Sequence, residues 1–225
     1  MGYHCPMETD AHMESYANFS LGEPALVCRW RLADGELPLA RRHLRALASR
    51  RIGSEPVAPE LVAWASQHIE STLREGSREH PDGVLMLVVD KNGRAAMTVG
   101  PYEPLLVATA AVLAARAEAS LREAEATGVA PETLWAVEGK QLRWQPAEDA
   151  RMAGATSLVS DLAKTIGMAK RKDELLIAGV LQGADGMDGV FLSSDEHGIV
   201  VASDCSCERA EKFAQGYDRL RSRRA

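Results

Sequence analysis

Three things are scarce in this chain of 225 residues: aromatic side chains, at 5% of the total with three phenylalanines among them, cysteines, of which there are four, and lysines, of which there are six. No apolar run reaches the roughly 18 residues of a membrane-spanning helix, so no membrane partner is expected. The N-terminus lacks a basic start followed by an apolar stretch, so it does not read as a secretory signal. Cys5, Cys28, Cys205 and Cys207 do not form a disulfide framework, and a reducing compartment, the cytoplasm, is the expected location. Cys205 and Cys207 stand one residue apart with no second pair at zinc-ligand spacing, so no metal is expected. A net charge of −6 lacks the basic face that a nucleic-acid binder needs. What the chain does have is 46% hydrophobic and 26% charged residues, enough to bury a core.

The pattern divides the chain into four parts. Residues 1–22 are polar and aperiodic, an N-terminal extension. Residues 23–100 read as a small α+β domain. It has a strand over 25–32, a turn at Asp34-Gly35 and a return strand over Glu36–Leu39. Helices follow over 40–52 and from Pro59 to Leu73, then strands over Val84–Asp90 and Arg94–Val99 around Asn92-Gly93. Residues 101–104, with Pro101 and Pro104, form a linker. Residues 105–225 read as an α/β domain. A long helix is expected over Leu105–Ala126, with strands over Thr133–Val137 and Gln141–Trp144 and a helix over Thr156–Ile166. Lys170 and Lys172 fall in a charged loop, and a helix is expected over Asp173–Gln182. Strands over Gly189–Ser193 and Ile199–Ala202 and a terminal helix over Glu208–Arg221 complete the pattern.

Three short motifs occur in order. Leu26 to Leu32 leads to Asp34-Gly35 and His43-Leu44; Leu134 to Leu142 leads to Pro146 and Gly154-Ala155-Thr156; Val190 to Ser194 leads to Gly198-Ile199-Val200. Together they resemble the class IV aminotransferases, the fold type IV pyridoxal-phosphate enzymes, with aminodeoxychorismate lyase the nearest branch and the branched-chain and D-amino-acid aminotransferases related. The resemblance implies two α+β domains with an active-site cleft between them, a homodimer, and a cradle for the cofactor phosphate. Onto this chain the cradle carries over as Ala155, Thr156, Ser193 and Ser194, with Arg45 beside the position of the family's phosphate-gripping arginine, which is Ala46 here. Free N–H groups at the start of the Thr156 helix suit an anion on physical grounds alone, and equally suit a plain helix cap.

The family's Schiff-base lysine has no counterpart. It belongs before the long helix, where this chain reads Val99-Gly100-Pro101-Tyr102-Glu103-Pro104. Lys91 and Lys140 sit in turns, and Lys164, Lys170, Lys172 and Lys212 match no family position. Nor does Glu125 or Glu132 align as the partner of the pyridine nitrogen. The leading expectation is a protein that has lost pyridoxal phosphate and uses the cleft for a small anionic metabolite, a carboxylate or phosphate. The alternatives are a working pyridoxal-phosphate enzyme with an unusual lysine and a non-catalytic partner subunit. Catalytic candidates are Cys28, a nucleophile if Arg29 or Arg31 lowers its pKa, and His197, an acid or base near the anion site. Arg29, Arg31 and Trp135 are the candidate substrate contacts. Along a strand Cys28 and Trp30 share one side and Arg29 and Arg31 the other, so only one pair can line the cleft.

Overall fold

The computed structural model describes residues 20–146, 152–184 and 186–222. Most of the expected N-terminal extension lies outside them.

The alternation in the first motif builds strand β1, Pro24–Arg31. Leu26, Cys28 and Trp30 turn to one side and enter a core with Leu85, Leu87 and Val89 of β4, Val84–Asp90. Helices α1, Ala40–Ala48, and α2, Pro59–Gly76, cover that side through Leu47, Ala65 and Ile69. Strand β5, Ala95–Gly100, completes an antiparallel sheet in the order β1-β4-β5. The Asp34-Gly35 turn forms, with φ of 52° and 79°. The expected return strand does not: a single bridge pairs Ala33 with Glu36, and Pro38, with no N–H to give, ends the ladder. Helix α1 is also shorter than expected, because β2, Arg51–Ile52, and β3, Glu55–Pro56, follow it as a small hairpin.

The second sheet has the order β10-β9-β6-β7-β8. Its strands are β6, Thr133–Glu138, β7, Gln141–Trp144, β8, Ala169–Lys172, β9, Gly189–Ser194, and β10, Gly198–Val201. Helices lie on both faces. Trp135 and Val137 of β6 face α4, Gly154–Thr165, and α6, Glu208–Arg221. Leu134 and Ala136 face α3, Ala110–Thr127, and α5, Leu176–Leu181. Burial on both faces explains why β6 is almost continuously apolar. Strand β8 replaces the expected charged loop. It pairs with β7 in parallel, and its four residues are exposed at the sheet edge. Lysines on an edge strand of this kind discourage pairing with another chain.

Helix α3 starts five residues later than expected. Asp204 Oδ1 accepts from the Ala110 N–H at 2.7 Å, and Thr109 Oγ1 accepts from Val112, so its first free donors are met there. It ends at Gly128, whose φ is 69° and where a Cβ would stand 2.0 Å from the Ala25 carbonyl oxygen. Val27 and Val129 form a parallel bridge at this point, joining the edge of the first sheet to the C-terminal half. Among the described residues no helix is long and apolar enough to cross a membrane.

Candidate functional site

The β9–β10 hairpin carries the site. Its three-residue loop, Asp195-Glu196-His197, closes on Gly198, whose φ is 74°. Ser194 Oγ accepts from the N–H groups of Glu196 and His197 at 3.2 and 3.1 Å, which holds the loop in shape. Each loop residue enters a different corner of the seam between the two sheets.

Asp195 reaches the amino end of α4. Its carboxylate accepts from Gly154 N at 3.1 Å and from Ala155 N at 2.7 Å. His43 of α1, stacked on Trp30, brings Nδ1 to 3.5 Å from Asp195 Oδ1. Burial alone would raise the Asp195 pKa, but His43 and the two backbone donors outweigh it and hold it below the ordinary value. A Cβ on Gly154 would stand 2.8 Å from His43 Nδ1, so the close approach needs glycine.

Glu196 points toward Arg29 and Arg116. Burial, with Glu132 and Glu123 nearby, lifts its pKa above the ordinary value although the two arginines oppose this. Arg29 pairs with Glu123 at 2.8 Å and lies 3.8 Å from Glu196. Arg116 holds Glu132 through two nitrogens, at 2.7 and 3.3 Å. His197 Nε2 lies 3.7 Å from Glu132 Oε1 and its Nδ1 lies 3.3 Å from the Tyr102 hydroxyl. Its side chain is 3% exposed. Burial lowers its pKa, Glu132 opposes that, and Arg116, Arg31 and Arg29 add to it, so the ring is neutral at pH 7. Arg31 stacks on the Tyr102 ring at 3.3 Å. Between these groups lies a cavity of about 30 Å³ lined by Arg29, Arg50, Arg116, Glu123, Glu132 and Glu196. Ligand pockets run to roughly 300–1,000 Å³.

The residues expected from sequence divide into three groups. Arg29, Arg31 and His197 do line the seam, but the arginines are engaged, by carboxylates for Arg29 and by Tyr102 for Arg31. The cradle residues come together and are then satisfied from within. Thr156 Oγ1 lies 2.9 Å from Thr133 Oγ1 and 3.0 Å from Ser193 Oγ, Ser193 accepts from the Trp135 indole at 2.9 Å, and Ser194 serves the loop. Cys28, Trp135 and Arg45 lie elsewhere. Cys28 is buried in the first core, and burial pushes its thiol up to about 12, with Arg50 opposing. That is the reverse of an activated nucleophile. Trp135 is stacked between Trp144 and Phe191 inside the second core, away from any substrate. Arg45 is exposed; Arg42 makes the contact with α4 instead, at 2.9 Å to Ser157 Oγ and 3.0 Å to Asp161. Asp195, Glu196, Glu132, Arg116, Tyr102 and His43 complete the site and were not singled out from sequence for these roles. The one sequence signal for the first two was their place beside His197 in a tight turn. All six lysines are exposed on the surface. Among the described residues no three His, Cys, Asp or Glu side chains converge as metal ligands.

No protein-family model matches the sequence, and no curated protein matches it. Solved structures do match. They include a hypothetical aminotransferase from Mycobacterium tuberculosis in its PLP-bound form, at 16% identity and TM-score 0.59, covering 99% of this chain and 95% of that one. The 4-amino-4-deoxychorismate lyase of Pseudomonas aeruginosa matches at 16% identity and TM-score 0.53, covering 95% of each chain. The branched-chain amino acid aminotransferase of Escherichia coli matches at 14% identity and TM-score 0.56, covering 88% of this chain and 85% of that one. At these identities the likeness is one of fold. The architecture is the α+β fold of the fold type IV transaminases and lyases, over nearly the whole chain.

Proposed function

We propose that this protein keeps the fold type IV scaffold but works without pyridoxal phosphate, as a non-catalytic partner subunit. One observation carries the reading: the Asp195 carboxylate sits on the two N–H groups that begin α4, where a cofactor phosphate would need to bind. The residues present do not fit the cofactor. No lysine faces the seam to form an imine, the hydroxyls of Thr156, Ser193 and Ser194 are already bonded, and the cavity of about 30 Å³ is too small for a pyridine ring.

The same facts weigh against the small anionic metabolite that the sequence favoured. A cleft that held one would keep an unmatched cation facing open space, whereas Arg29 and Arg116 are both matched by glutamates. The homodimer that the fold suggests remains part of the proposal. It would cover the exposed Leu106, Val107 and Leu175, of which Leu106 is 92% exposed.

The test is spectroscopic. Purified full-length protein is mixed with pyridoxal phosphate, scanned from about 300 to 500 nm, reduced with borohydride and digested for peptide mapping. No band becomes covalently fixed, and the thermal midpoint does not move with the cofactor. A reduced adduct on a single lysine at one-to-one stoichiometry would overturn the reading.

A further inference from the structure

We infer that the amino end of α4 is a working oxyanion site whose resident ligand is Asp195, and that removing this carboxylate turns the protein into a binder of inorganic phosphate. The inference rests on the cofactor-free reading of the cleft and adds what occupies it and what could.

Asp195 is not an ordinary helix cap. A cap comes from the residue before the first turn, and here that residue is Ala153, which has no polar side chain. Asp195 comes from another hairpin, some 40 positions along the chain, and uses both oxygens on consecutive N–H groups. Such a forked arrangement is how a free anion sits on a helix start. A second observation is independent of the helix. His43 Nδ1 is buried, with the side chain 5% exposed, and makes no hydrogen bond, yet it points at the same spot, 3.5 Å from Asp195 Oδ1. An oxyanion with one more oxygen than a carboxylate could take that donor. Gly154 keeps the approach clear, since any Cβ there would meet the imidazole.

The loop does not depend on the Asp195 side chain. The Asp195 carbonyl accepts from Arg31 N at 3.0 Å, Ser194 Oγ holds the next two N–H groups, and Gly198 pairs with Ser194. Truncation therefore removes the ligand and leaves the donors in place.

The experiment uses the full chain as wild type, Asp195→Ala and Asp195→Ser, in chloride and in inorganic phosphate at equal ionic strength and pH 7. Thermal midpoints and the phosphorus NMR line width of phosphate are read. The wild type responds to neither salt. Asp195→Ala melts lower than wild type in chloride, regains about 5 °C at saturating phosphate, and broadens the phosphate line. Asp195→Ser, which keeps a short acceptor, gives a smaller gain. The inference is overturned if the variants fold but gain no more from phosphate than wild type does, or if neither folds even with phosphate present. A lysine adduct in the borohydride test would overturn the cofactor-free reading instead, so the two failures are distinguishable.

Discussion

Cys28 and Asp195 both follow from side-chain direction, which the sequence does not carry across a seam. Cys28 alternates with Val27 and Arg29, so its burial depends on which face of β1 meets α1 and α2. With the thiol pushed up to about 12, iodoacetamide at pH 8 should leave Cys28 unlabelled in the folded protein and label it after denaturation. Peptide mapping reads both states, and rapid native labelling would restore it as a nucleophile candidate. Arg45 was chosen by adjacency to the family position, but helix α1 turns it to solvent and presents Arg42 to α4. The hydroxyls of Thr156, Ser193 and Ser194 were legible as a cluster because their motifs fix the order of elements. That a carboxylate would fill the cluster's open end was not legible, since an Asp in a tight turn usually serves the turn itself.

Among the elements, those whose periodicity is set by a buried stripe were read well. Strands β4, β6 and β7 and helix α6 lie where alternation and spacing put them. The misses share a cause: partners distant in sequence. Strand β8 is four exposed residues with no apolar pattern and exists because β7 offers it a parallel edge. Helix α3 starts at Ala110 because Asp204, far along the chain, meets its first N–H. The β4–β5 turn was legible from Asn92-Gly93, and its anchor gives a pH test. Asp90 accepts from the N–H groups of Gly22, Asn92 and Arg94 and from Arg94 Nε, and these bonds, led by Gly22, lower its pKa from 3.8 to about 2. A depressed carboxylate stabilises the fold at pH values above its unfolded pKa and loses that contribution as pH falls through the folded one. Urea midpoints of wild type should therefore drop between about pH 4 and pH 2, and Asp90→Asn should be less stable at pH 7 with a flatter profile across that window. Parallel profiles for the two proteins would remove Asp90 as the anchor.

At the scale of the molecule, the fold is the fold type IV scaffold, and its order of motifs made it legible despite identities of 14–17% to the solved structures. Assembly is a separate matter. Sedimentation velocity should give a homodimer that Leu106→Asp weakens by several-fold or more, since a buried charge at such a contact costs a few kcal/mol, about 2–5. A monomer at all concentrations would remove the proposed dimer. The seam at Gly128 bears on the chain's birth. Strand β1 is an outer strand of its sheet, and its free N–H groups at Val27 and Arg31 are met by Gly128 and Asp195. A ribosome that has made the first sheet has therefore left its outer edge bare, and the groups that close it emerge about 30 and about 95 residues after β5 ends. During that interval the nascent chain carries an open strand edge beside an unfinished core, so slower translation through the second half would favour wrong pairing between neighbouring nascent chains.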